Sequence, residues 1–191
     1  MIPKGRLDAL SDGIFAFAMT LLVLDLRLPD GFVPQNAQQL LDGLLTLTDN
    51  LIAYVISFAV LALRWLAQAR VRSGPEETMV AYGRLTLVYL FFITCVPFTT
   101  MVVGRYGNLP PAVWLYAANM IASSGVAWAM AVLARAEGRE VSPGSSSFGS
   151  ALLLASALVS VALTFVAPRW AMEAYFLNLL GPIVRRGWDA T

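Results

Sequence analysis

Residues 6–29 read RLDALSDGIFAFAMTLLVLDLRLP. Arg6, Asp8, Ser11 and Asp12 crowd the start, no charge occurs from Gly13 to Leu24, and charge returns at Asp25 and Arg27. A polar foot under an apolar run marks a segment that crosses a bilayer, which takes about 20 mostly apolar residues. Working outward, the same pattern recurs. Candidate spans lie near 12–28, 50–68, 80–103, 111–134, 148–167 and 170–187. Between them stand LPDGFVPQNAQQ, RVRSGPEET, GRYGNLPP, RAEGREVSPGSSS and the pair Pro168–Arg169, each combining turn formers with charge. The expected fold is an all-α membrane protein, a single domain over 1–191 with six transmembrane helices.

Composition supports this. Of 191 residues, 58% are hydrophobic and 13% charged, against about 45–50% apolar and 25% charged in a soluble domain. The net charge of +1 and the scattering of basic residues among helix ends exclude a nucleic-acid partner. The chain has no histidine, so it lacks the commonest metal ligand, general base and neutral-pH switch. With a single cysteine, Cys95, no intrachain disulfide forms. MIPKGR precedes an apolar run without a small-residue cleavage site, and this reads as a retained signal-anchor helix.

An even number of spans puts both termini on one side. On that side fall Lys4, Arg6, Arg64, Arg70, Arg72, Arg84, Arg135, Arg139, Arg185 and Arg186, against Arg27, Arg105 and Arg169 on the other. The basic-residue bias sets the termini in the cytoplasm. Trp65, Trp114, Trp170 and Trp188 fall near expected span ends, where indoles favour the headgroup layer. QQLLDGLLTL, in the first loop, has leucines at helical spacing and reads either as an extension of the second span or as a short interfacial helix.

Along the first span, at 100° per residue, Gly13, Phe17, Thr20, Leu21, Leu24 and Leu28 share one face, and Phe15, Met19, Leu22 and Leu26 the other. Both are apolar apart from Thr20, so periodicity does not say which face meets lipid and which meets protein or water. At the foot, Ser11 and Asp12 are suited to cap the helix N-terminus. Arg6 has Asp12 or a carboxylate of another helix as a partner, making a polar anchor at the cytoplasmic interface.

These residues carry a resemblance. The stretch is similar to the signature opening the transmembrane protein 175 family of potassium channels, in which an Arg, three residues and then Phe-Ser-Asp begin the first helix. Arg6, Leu10, Ser11 and Asp12 hold those positions here, with Leu10 replacing the aromatic residue. YVISFAVLALRW in span two and ITCVPFTT in span three are weaker echoes. The resemblance implies a bacterial inner-membrane channel, a homotetramer whose first helices line a central pore, with potassium as the permeant ion and no cofactor. It places the pore constriction on Phe17, Leu21 and Leu24, with Thr20 giving a ring of hydroxyls. Ordinary potassium channels use a TVGYG carbonyl filter, which this sequence lacks. Rings of apolar side chains stop ions by dewetting and select only modestly. Where the family has an aliphatic residue, Phe17 is bulkier; where it has a histidine after the span-two Trp, Gln68 stands, and an Asn near the start of span three is replaced around Arg84.

Asp25 reads either as a cation-concentrating charge at the outer mouth or as half of an ion pair with Arg27 or a neighbouring helix. Pro97 should kink span three, with Thr94 placed to meet the freed carbonyl. Ala118, Ala122, Ser123, Gly125, Ala129, Ala155, Ser156 and Ser160 suit close helix packing, and Asn119 and Asn178 suit interhelical hydrogen bonds. Glu173 lies near the outer face. No metal site and no catalytic pairing emerges, so an enzyme has the least support. A secondary transporter is the alternative, although the expected midplane ionisable groups and broken helices are sparse.

Overall fold

The computed structural model describes residues 2–70, 77–78, 80–136, 145–166 and 173–176. Six helices are present among them: α1 Lys4–Leu22, α2 Ala37–Leu45, α3 Thr48–Arg70, α4 Val80–Tyr106, α5 Pro110–Ala136 and α6 Ser145–Leu163. Short 3-10 turns cover Val23–Asp25 and Glu173–Phe176. Two-residue strands, β1 Ile2–Pro3 and β2 Glu77–Thr78, pair antiparallel with Ile2 opposite Thr78 and Pro3 opposite Glu77. This clasp joins the start of α1 to the α3–α4 connection, placing the α1 foot beside the end of α3 and the start of α4.

Four segments are long and apolar enough to cross a membrane: Lys4–Asp25, Thr48–Ala69, Val80–Tyr106 and Pro110–Ala136. The fifth expected span falls on α6, whose apolar part is Ala151–Leu163. The expected sixth, near 170–187, lies outside the described residues except for the turn Glu173–Phe176, as do Trp170, Asn178 and Trp188.

α1 begins at Lys4, not near residue 12. The polar cluster is good helix sequence, rich in Leu, Ala and Arg; the residue that stops helix propagation toward the N-terminus is Pro3, which is extended at φ −59° and ψ 118°. Helix start at Lys4 and apolar start at Gly13 are therefore nine residues apart. At its other end α1 stops at Leu22 instead of reaching 28, and tightens into the 3-10 turn where Leu26 donates its backbone N–H to Val23 at 3.0 Å. QQLLDGLLTL is not a simple extension of α3. It forms a separate helix, α2, capped by Asn36, whose side chain accepts from the Gln39 N–H at 2.8 Å.

α4 packs against α1, α3 and α5, and α5 packs against α6. Phe15 and Leu22 of α1, Ile56 and Leu61 of α3, Leu90 and Ile93 of α4 and Tyr116 and Met120 of α5 form the buried core. Apolar lipid gives helices little hydrophobic reason to associate, so close fit and hydrogen bonds hold such a bundle. Ser123 and Ser124 on α5 and Ser156 and Ser160 on α6 are buried, whereas Ala118, Gly125 and Ala155 face outward. At Gly104 a Cβ would stand 3.2 Å from Asn50 Cα, so glycine is what lets α3 and α4 approach there. α4 runs through Pro97 as one helix. Thr94 donates to Phe91 O at 2.7 Å, not to the Ile93 carbonyl that the proline frees; Asn119 of α5 reaches the loosened turn instead, donating to Phe92 O at 3.2 Å.

Candidate functional site

α1 divides into two faces. Leu7, Ser11, Phe15, Ala18 and Leu22 are buried against the bundle, with Phe15 only 1% exposed. The other face is left uncovered by its own protomer: Phe17 and Leu24 are each 66% exposed, Thr20 is exposed and Leu21 half-buried. Arg6, Leu10 and Gly13 continue this uncovered face toward the foot. Leu24 sits in the 3-10 turn just above the helix, and Leu28 lies beyond it.

Thr20 donates its hydroxyl proton to the Phe17 carbonyl at 2.8 Å. Among the described residues no donor reaches its oxygen, which stays able to accept. An oxygen so placed can meet a cation, and its proton is already spent on the backbone.

The foot is built differently from the capped N-terminus expected of it. Ser11 lies inside the helix, buried, and its hydroxyl donates back to Leu7 O at 2.9 Å. Asp12 accepts from the indole N–H of Trp65 on α3 at 2.9 Å. Neither residue caps, because α1 begins about two turns earlier, at Lys4, and only the first four N–H groups of a helix lack intrahelical partners. Once α1 includes Arg6, six residues at 100° put Arg6 and Asp12 about 120° from a common face; Arg6 is exposed, and among the described residues no ion pair joins the two. Trp65, expected near a span end, spends its indole N–H on α1.

Sequence reasoning missed the cavity behind the foot. Lys4, Leu7, Asp8 and Ser11 of α1, Gln68 of α3 and Tyr82 and Thr86 of α4 line a space of about 10 Å³, enough for one water. Gln68 Oε1 is buried there without a hydrogen-bond partner. Its spacing, three residues after Trp65 and so on the same helix face, was the available signal. Arg84 is exposed and away from this cavity.

Arg64, counted from sequence among the cytoplasmic-end charges, turns into the bundle. Its guanidinium donates to Ser124 Oγ at 2.6 Å and Tyr89 OH at 3.3 Å and lies 5.7 Å from the centre of the Tyr89 ring. Tyr89 in turn meets Phe15 at 6.2 Å between ring centres. The buried face of α1 is thereby backed by a cross-linked layer of α3, α4 and α5. A second polar layer toward the opposite end joins Ser57, Thr100 and Tyr116: the Thr100 hydroxyl is 2.8 Å from Ser57 Oγ, which is 3.1 Å from Tyr116 OH.

At the upper end of α1, Asp25 pairs with Arg105 of α4 and accepts from Asn50 Nδ2 of α3 at 3.2 Å. Arg27 turns instead to Asp30 at 4.0 Å. The Asp25 carboxylate is thus compensated by a neighbouring helix. The first helix is tied at both ends, by Asp12–Trp65 below and Asp25–Arg105–Asn50 above, with one face free between.

This geometry agrees with the matches to known proteins. Residues 6–97, which contain the foot, the stripe and both ties except Arg105, match the family model described as Endosomal/lysosomal potassium channel TMEM175. The crystal structure of a lysosomal potassium-selective channel TMEM175 homolog from Chamaesiphon minutus matches with a TM-score of 0.77 and 27% identity, covering 94% of this chain and 96% of that one. Over residues 6–97, just under half of its length, the chain is similar to the TMEM175 family. A potassium channel of Chamaesiphon minutus is 34% identical over 108 residues, 56% of this chain and 53% of the relative, so the match spans about half of that protein's length. TMEM175 of Mus musculus, named an endosomal/lysosomal proton channel, is 27% identical over 117 residues, 57% of this chain and 23% of the relative. The matched family is described as a potassium channel, and four segments of this chain are long and apolar enough to cross a membrane.

Proposed function

We propose that the chain is a potassium-permeable cation channel, a homotetramer in which the uncovered face of α1 from each protomer lines a central pore. The observation that carries this reading is the contrast across α1: Phe15 1% exposed on one side, Phe17 and Leu24 66% exposed on the other, in a helix held at both ends by side-chain ties. Four copies around an axis would bring Phe17, Leu21 and Leu24 together as apolar rings, with the Thr20 oxygens between them. An apolar ring excludes the water an ion needs, and a small widening readmits it, so the rings form the gate. Thr20 oxygens replace part of the hydration shell and give a modest preference for potassium over sodium. Arg6, Ser11 and Asp12 act as the structural anchor of the pore helix. Asp25, being compensated by Arg105, serves mainly to fix the upper end of α1. The likeness to bacterial channels favours the inner membrane of a bacterial cell, and the basic-residue bias favours both termini in the cytoplasm.

The test is ion flux into liposomes containing the purified protein, with potassium, sodium and proton gradients measured separately because a mammalian relative is named a proton channel. Wild type should pass potassium faster than sodium without saturating. Phe17→Ala and Leu21→Ala should each raise flux about tenfold or more, as expected when one barrier falls by 1.4 kcal/mol. Saturable flux that requires a counter-substrate would show a transporter instead.

A further inference from the structure

We infer that the space behind the foot of α1 is a binding site for one ordered water molecule, held between Gln68 of α3 and the oxygen-bearing side chains of α1 and α4. At 100° per residue Asn50, Ser57, Arg64 and Gln68 fall within an arc of about 40°, so they form one polar stripe on the face that α3 turns into the bundle. The first three each reach another element. Asn50 donates to Asp25 at 3.2 Å, Ser57 Oγ lies 2.8 Å from the Thr100 hydroxyl, and Arg64 donates to Ser124 at 2.6 Å. Gln68 is the fourth rung. Its Oε1 is buried and has no hydrogen-bond partner among the described residues, and it is at this rung that the bundle leaves a space.

A buried amide oxygen without a donor loses its hydration and gains nothing in exchange, which is why such atoms are nearly always met by protein or by ordered water. The other groups around the space decide what meets this one. Ser11 spends its hydroxyl proton on Leu7 O at 2.9 Å, and Thr86 spends its own on Tyr82 O at 3.0 Å. Each oxygen is left able only to accept, and Asp8 adds a carboxylate that also only accepts. The space therefore calls for a donor. Its charge is balanced, with the Lys4 ammonium set against the Asp8 carboxylate: a free cation would sit beside the first and an anion beside the second. At about 10 Å³ it takes a group of one non-hydrogen atom. Water is the neutral donor of that size. It brings two protons, one for Gln68 Oε1 and one for an acceptor of α1 or α4.

Such a molecule joins α3 to the foot of α1 three residues beyond Trp65, whose indole holds Asp12. The foot then has one direct tie and one water-mediated tie, and both start on α3.

The test is hydroxyl-radical footprinting by synchrotron X-rays on the full chain in nanodiscs, read by mass spectrometry. Radiolysis of a bound water oxidises the side chains that touch it even where they are buried. Leu7 lines the space, whereas Leu22, on the same buried face of α1, does not. In the wild type Leu7 should be oxidised several times faster than Leu22. Gln68→Met removes the acceptor and fills the space, and the loss of one hydrogen bond should slow Leu7 oxidation about tenfold. Gln68→Glu, which keeps an acceptor at the same reach, should preserve it. Circular dichroism checks that the variants fold, and Gln68→Leu takes the place of Gln68→Met where the latter does not. Leu7 oxidised no faster than Leu22 in the wild type overturns the inference, because the space is then dry. Leu7 oxidation that persists in a folded Gln68→Met or Gln68→Leu protein also overturns it, because the water is then not held by Gln68.

Discussion

Hydrogen bonds to two carboxylates, Asp12 and Asp25, decide how α1 is held. Trp65→Phe removes the donor to Asp12 while keeping an aromatic body in place. A hydrogen bond to a charged group contributes about 1.5–3 kcal/mol, so unfolding of the variant should be easier by that amount. Asp12→Asn, which keeps an acceptor, should lose less; thermal denaturation of the two in the same detergent checks the order. Asp25 makes a different prediction. Its charge is already met by Arg105, so Asp25→Asn should change potassium flux by less than about twofold, whereas Arg105→Gln uncovers the carboxylate and should raise cation flux at low salt and not at high salt. Liposome flux at two ionic strengths separates these. The residues of the foot were visible in the sequence, because Ser and Asp before an apolar run are a helix-start pattern. Their roles were not, because a cap and a mid-helix hydrogen bond to another helix use the same side chains, and only the position of Pro3 distinguishes them.

At the scale of elements, the apolar pattern located α1, α3, α4 and α5 well, since a spanning helix must be apolar over most of its length whatever it packs against. It said little about their ends. α1 gained two polar turns below and lost its last residues to a 3-10 turn, because the tie at Asp25 pulls the chain toward α3 and α4. Nor did it foresee that Arg64 would turn inward. The sequence shows an arginine six residues before a helix end, and the Ser124 and Tyr89 that receive it come from helices far along the chain. Contacts between helices can be tested at Gly104. Gly104→Ala puts a Cβ 3.2 Å from the Asn50 backbone, and such overpacking costs about 1–3 kcal/mol. The variant should be less stable by that much, and it should also weaken the hydrogen bond from Asn50 to Asp25, seen as slowed or accelerated gating in single-channel records relative to Ala53→Gly, which relieves the same region.

For the whole molecule, the account rests on which side of α1 meets the ions. The two-faced pattern of Phe17, Thr20, Leu21 and Leu24 against Phe15 and Leu22 was legible from helical geometry; that the second set is the one packed inside the protomer required the structure, since both are equally apolar. The most direct test is reactivity. In a Cys95→Ser background, Leu24→Cys and Leu22→Cys place a thiol on the uncovered and the packed face, two residues apart, and a charged methanethiosulfonate reagent is applied from the outer side during potassium current recording. The account predicts that Leu24→Cys is modified and its current blocked, while Leu22→Cys is untouched. Modification at Leu24→Cys that leaves the current unchanged would contradict it.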